Sequence, residues 1–299
     1  MGRFENYRVF RTALGGRLLE VEIGKLAEQA NGQATVRYGD TVVSCTVCAS
    51  KEPKQDVDFF PLTCNFEEKL YAVGKIPGGY IKREGRPSEK ATLISRLIDR
   101  PLRPLFPKGY RNDVVVAATA LSVDHDCSPQ VASLIGTSTA IAISDIPWDG
   151  PTAGVVVGRV DGEFVINPTF EQRQVSDLNL TVCGTEEAIV MVEAGANELP
   201  EDQMLEAILT GHEEIKNICR FIKEIVAEVG KEKQQYVVFK AGEDVDAAVR
   251  EYATSNMIEA IYTFDKQERI ANMDAVAVDA KEHFAEEFEG RMAEVDEVL

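Results

Sequence analysis

The chain has 299 residues, 44% of them apolar, and a formal charge of −18, enough for one large globular domain or two smaller ones. Acidity this strong excludes a histone-like nucleic-acid coat or a membrane-surface protein, because most of the surface repels polyanions. No apolar run approaches ~18 residues and none follows the opening Met1-Gly2-Arg3-Phe4-Glu5, so neither a membrane span nor a secretory signal is expected. The six cysteines are therefore expected to be reduced thiols of a cytoplasmic protein.

In chain order, β-branched runs bounded by Gly, Asn and Asp predict strands over residues 18–23, 34–38 and 41–49, with Gly39-Asp40 as a turn. Cys45 and Cys48 form a C-x-x-C, but three residues apart on a strand they point to opposite faces, and no second pair completes a metal site. Both are expected to be core thiols. Ser88 caps a helix expected over residues 88–99, with Leu93, Ile94, Leu97 and Ile98 as one apolar stripe. Pro101 is expected to end it and to leave residues 100–107 extended.

A buried strand is predicted over residues 114–123. Ser128-Pro129 then opens a helix whose small residues allow close packing. Residues 154–160 and 163–166 read as a hairpin around Asp161-Gly162. Two further strands follow over 178–182 and 188–193, then a long helix, Glu201–Val229, stopped by Gly230. From residue 231 onward there is no proline, and 17 acidic residues face 8 basic ones. Helices are expected over 245–252, 257–263 and from 271 onward. The last apolar pattern (Phe288, Met292, Val295, Val298) is unfinished at Leu299, so the chain is expected to stop inside a longer protein. His125, His212 and His283 lack metal-ligand spacing, and Asp124 and Asp126 read as turn residues.

Against this acidic background, residues 75–111 hold ten Lys/Arg and three acids, a local +7. Within them run Gly78-Gly79-Tyr80-Ile81-Lys82-Arg83-Glu84-Gly85-Arg86-Pro87 and Ser95-Arg96-Leu97-Ile98-Asp99-Arg100-Pro101-Leu102-Arg103-Pro104. These motifs, with residues 34–43 and Glu201-Asp202-Gln203-Met204, resemble the first RNase PH-like core domain of the polynucleotide phosphorylase family. The resemblance covers essentially the whole chain. It implies an α+β fold, a mixed β-sheet with packed helices over residues 1–230, followed by a small all-helical domain over 231–299.

The resemblance also implies an activity. Such enzymes shorten RNA from its 3′ end, with inorganic phosphate as co-substrate, Mg²⁺ as cofactor and nucleoside diphosphates as products, and they assemble as homotrimers around an RNA channel. Tyr80, Ile81, Lys82 and Arg83 fall on the family's channel-mouth loop, with Ile81 in place of an aromatic and Lys82 in place of an arginine. Arg96, Arg100 and Arg103 match arginines facing single-stranded RNA; the competing role is pairing with Asp99 or other acids, and with one nearby acid for three arginines the phosphate role is expected for at least two of them. The family's catalytic Asp-x-Asp-x-Lys pattern is absent, its strand reading Asp177-Leu178-Asn179-Leu180-Thr181. Arg173 stands where an upstream acid would be, and Cys127-Ser128 where paired serines bind phosphate. No catalytic residue and no metal ligand is therefore expected in this chain. The alternatives are a non-catalytic RNA-binding scaffold and a self-sufficient RNase PH-type exoribonuclease.

Overall fold

The computed structural model describes residues 5–54, 57, 59–238 and 240–299. Among them ten strands form two sheets and seven helices complete an α+β fold. The first sheet is built from β1 (Arg8–Leu14), β2 (Arg17–Ile23), β3 (Gly32–Tyr38), β4 (Thr41–Pro53), β5 (Leu62–Glu68) and β6 (Asn112–Ser122). Its order is β1-β2-β3-β4-β6-β5, antiparallel except where β5 runs parallel to β6 at one edge. The second sheet has β7 (Ala153–Val160), β8 (Glu163–Ile166), β9 (Leu178–Gly184) and β10 (Ile189–Ala196) in the antiparallel order β10-β9-β7-β8. The β7–β8 turn is the expected hairpin: Asp161 and Gly162 both take positive φ (51° and 86°), the twist that joins two strands in two residues.

Between the sheets runs α2 (Pro129–Ile143), packed on β3, β4 and β7 and buried at every position but Gln130. A helix apolar all round must be enclosed by protein. Its small residues permit the close approach: a Cβ on Gly136 would lie 2.5 Å from the Cys45 sulfur. The hydroxyls that such a composition buries bond back along the helix, Ser133 to Pro129 O and Thr137 to Ser133 O. The amphipathic helix α4 (Glu201–Val229) covers β7 and β9 with Ile215, Ile218, Ile222 and Ile225 buried. Beyond it, Lys231 N–H bonds Ile143 O, and the Lys233 ammonium bonds three carbonyls at the end of α2.

Several expectations are corrected. The helix α1 (Glu89–Leu102) continues through Pro101 and passes into a 3₁₀ turn, Arg103–Leu105. Pro101 forfeits one helical N–H bond one residue before the end of α1, and just beyond it Trp148 Nε1–H donates to the Leu102 carbonyl at 3.0 Å. Leu93 is 56% exposed; the buried stripe is Ala91, Ile94, Leu97, Ile98 and Leu102. Ser128 precedes α2 without a side-chain cap. Cys45 is a core thiol but Cys48 is exposed, as the strand period requires. Three elements had not been expected: β1, β5 and α3 (Phe170–Val175), the last held by a reciprocal Thr169–Gln172 capping box.

The chain divides into two compact units, the larger running to Tyr236 and the smaller comprising Val237–Leu299 with Lys54, Phe60 and Lys108–Arg111. In the smaller unit the expected 245–252 and 257–263 segments are one helix, α5 (Glu243–Ile261), followed by α6 (Lys266–Phe284) and α7 (Met292–Val298). Val245, Val249, Phe284, Phe288 and Val295 form its core. Arg291 bridges Asp244 (2.7 and 3.0 Å) and Glu294 (2.8 and 2.7 Å). These hydrogen bonds hold both carboxyls down at about 2, from ordinary values of 3.8 and 4.5. A depressed folded-state value stabilises above the ordinary carboxylate range and is lost as pH falls toward 2. Arg291→Met is therefore expected to lower the unfolding temperature at pH 7 and to differ little from the parent near pH 2. Circular-dichroism melts at both pH values check this; an equal difference at both would refute it.

Candidate nucleic-acid interface

Downstream of β5 a short 3₁₀ turn, Leu70–Val73, ends at Gly74, and an open loop leads to α1. Glu84 anchors the loop's return by accepting the Leu70 N–H at 3.0 Å. Every residue from 78 to 90 is exposed. Tyr80 is fully exposed and Ile81 largely so. Lys82 has φ +54°, a left-handed conformation closed by its N–H bond to Gly79 O at 3.0 Å. Glycines on both sides and Pro77 and Pro87 beyond suit a loop that presents its side chains and gives them no core.

The cations divide into two groups. Lys75, Lys82, Arg83, Arg86 and Arg96 are exposed and have no carboxylate partner among the described residues. Arg100 is exposed and meets Glu193 at 3.5 Å, a long solvent-facing pair of little energetic weight. Lys90 meets Glu68 at 3.5 Å. Arg103 is different. Its Nε and Nη2 grip Asp99 at 2.9 and 2.7 Å, and Nη2 also donates to Leu62 O at 3.1 Å. The Asp99 hydrogen bond raises the guanidinium pKa further. Arg103, though exposed, is thus held by Asp99 and Leu62 O, in the competing role considered for the three arginines, while Arg96 and Arg100 stand one helical turn apart on exposed α1 surface.

The strand β9, where the resemblance would place a catalytic pattern, holds no comparable cluster. Asp177 is paired with Arg159 at 2.6 Å. Asn179 is exposed and uncharged, and the Thr181 hydroxyl is buried, accepting from Gln130 Nε2 at 3.2 Å. Arg173 is spent on the Pro168 and His125 carbonyls. Among the described residues no group of three or more His, Cys, Asp or Glu forms a metal site. A neutral amide and a buried hydroxyl do not make the carboxylate set that Mg²⁺ requires, so these residues do not fit that ion. Asp124, whose carboxyl is lowered chiefly by the Asp126 N–H, is a turn residue as expected.

Two sheets thus enclose a buried helix, and residues 75–100 add exposed cations and a fully exposed Tyr80 to a chain of net charge −18. The 3′ exoribonuclease family, domain 1, matches residues 15–147, and domain 2 of the same family matches residues 150–214. The chain belongs to this family. It is similar to polyribonucleotide nucleotidyltransferase 1 of Alkaliphilus metalliredigens (strain QYMF), with 56% identity over 98% of this chain and 42% of the relative. The polyribonucleotide nucleotidyltransferases of Clostridioides difficile (strain 630) and Geobacillus kaustophilus (strain HTA426) are also 56% identical, over 93% and 98% of the chain and 40% of each relative. The chain thus spans about two fifths of the length of the curated relatives it matches.

Sequence reading missed Ser95 and the tie of Arg103 to β5. The i, i+4 spacing of Asp99 and Arg103 was a usable signal, hidden by taking Pro101 as the end of the helix.

Proposed function

We propose that the chain is the N-terminal portion of a phosphorolytic 3′ exoribonuclease, and that its part is to guide single-stranded RNA to chemistry performed elsewhere in the assembly. The observation that carries this reading is the set of five exposed cations between residues 75 and 96, without a carboxylate partner among the described residues, in the same stretch as a fully exposed Tyr80 and in a chain of net charge −18. Tyr80 offers a stacking face worth about 1–3 kcal/mol per base, and every base has a π-face, so the surface accepts any sequence. Ile81 widens the apolar contact. Lys82 supplies a point charge, and Arg83, Arg96 and Arg100 supply planar forks for phosphate.

In the proposed reaction a phosphate oxygen attacks the terminal phosphodiester. The bond to the penultimate 3′ oxygen breaks, a nucleoside diphosphate leaves, and the shortened RNA recovers its 3′ hydroxyl. Mg²⁺ in the whole protein would offset the repulsion between the two anions; its ligands are assigned to residues outside this chain. The reading extends to a homotrimer acting in mRNA turnover in the cytoplasm. In it, residues 1–230 are the first core domain and 231–299 a helical connector.

The test is an assay of this chain with oligo(A), Mg²⁺ and inorganic phosphate. Retained, salt-sensitive oligo(A) binding without release of nucleoside diphosphate is expected. Release by a pure preparation would overturn the division of labour and favour a self-sufficient enzyme. Absence of binding would overturn the guiding role.

A further inference from the structure

The tie between α1 and the edge strand β5 is periodic. Phe66 N–H donates to Ser95 Oγ at 2.8 Å. The Cys64 thiol lies 3.7 Å from Asp99 Oδ1. Arg103, gripping Asp99, donates to Leu62 O at 3.1 Å. Residues 66, 64 and 62 of the strand are thus met in turn by residues 95, 99 and 103. The match is geometric: two strand residues advance about 6.6 Å and four helical residues about 6 Å, so the partners stay in register. The ladder satisfies backbone groups on the open edge of β5, which would otherwise be free to pair with another chain.

Two of the ladder residues are followed at once by a candidate RNA contact, Ser95 by Arg96 and Asp99 by Arg100, a rotation of about 100° around the helix. Locking 95, 99 and 103 onto β5 therefore fixes the azimuth at which Arg96 and Arg100 leave α1. We propose that Ser95, Asp99 and Arg103 are positioning residues, keyed to Phe66, Cys64 and Leu62, that aim the Arg96 and Arg100 guanidinium groups at single-stranded RNA. The inference rests on the RNA-guiding role proposed above. It assigns Arg103 to the protein side of the interface.

The decisive variant is Asp99→Asn, because positioning and simple electrostatics give opposite signs. Removing a negative charge beside an anionic ligand strengthens binding if Asp99 only dilutes the local field or competes with phosphate for Arg103. Loss of the bidentate grip weakens binding if Asp99 holds the ladder. Oligo(A) affinity is measured across a salt series on the intact chain, with folding verified by circular dichroism. Asp99→Asn is expected to lose roughly threefold to tenfold in affinity and to show a shallower salt slope. It should have little further effect in an Arg96→Ala/Arg100→Ala background, and Asp99→Glu should recover part of the loss. Ser95→Ala, which leaves the ion pair intact, should show a smaller change of the same sign and decides the matter should Asp99→Asn not fold. Equal or tighter binding by Asp99→Asn, with Arg96→Ala/Arg100→Ala still weakened, overturns the proposal and leaves the guiding role standing. Unchanged binding by Arg96→Ala/Arg100→Ala overturns both.

Discussion

Replacing Arg96 and Arg100 together with Ala is expected to weaken oligo(A) binding by roughly tenfold to a hundredfold at low salt and to flatten its salt dependence by about 1.4, two contacts at about 0.7 each. Both side chains are exposed on α1, and the long pair of Arg100 with Glu193 holds it weakly, so it is free to exchange a carboxylate for a phosphate. Lys75, Lys82, Arg83 and Arg86 remain, so binding should be weakened and not abolished. Stability should barely move, since exposed substitutions of this kind cost within about 0.5 kcal/mol. Tyr80→Ala separates the two contributions: it should weaken binding by about 1–3 kcal/mol while leaving the salt slope unchanged, because stacking releases no counterions. A salt slope unaltered by the double arginine replacement would show that these groups serve the fold.

Gly136→Ala should be strongly destabilising, because it adds a methyl inside the enclosed helix α2. The added Cβ would sit 2.5 Å from Cys45 Sγ and 2.9 Å from Val36 Cγ2, both on strands of the central sheet. Neither neighbour is the far end of a flexible chain, and the helix is enclosed on all sides, so strain cannot be shed toward solvent. Overpacking of this kind costs about 1–3 kcal/mol and here should reach the upper end. Cys45→Ala alone should cost less. Combined with Gly136→Ala it should recover part of the loss, because the sulfur is the nearest obstacle. Urea unfolding of the four proteins measures the coupling; strictly additive losses would sink the account.

The family was legible in short, ordered motifs because the loop of residues 78–87 and the Ser95–Pro104 run carry their chemistry in consecutive residues. Strands with strong β-branched enrichment, the Asp161-Gly162 hairpin and the long α4 were legible for the same reason: each rests on local periodicity or turn chemistry. The edge strand β5 went unread although Leu62, Cys64 and Phe66 alternate with polar residues, because its apolar side is narrow and Asn65 and Glu67 dilute the pattern. The helical unit was read in two pieces because Ala253-Thr254-Ser255-Asn256 is a weak local signal, which tertiary packing of Val245, Val249 and Phe284 overrides.

Sequence alone determined where positive charge is concentrated in this chain and which residue types carry it, because charge and order along the backbone do not depend on folding. Tertiary structure decided which of those charges are available. Arg103 and Arg96 are both exposed, yet one is gripped by Asp99 and Leu62 O while the other has no carboxylate partner among the described residues. That distinction arises from the register between a helix and the edge of a sheet, set by contacts between residues some forty positions apart, Leu62 and Arg103 among them.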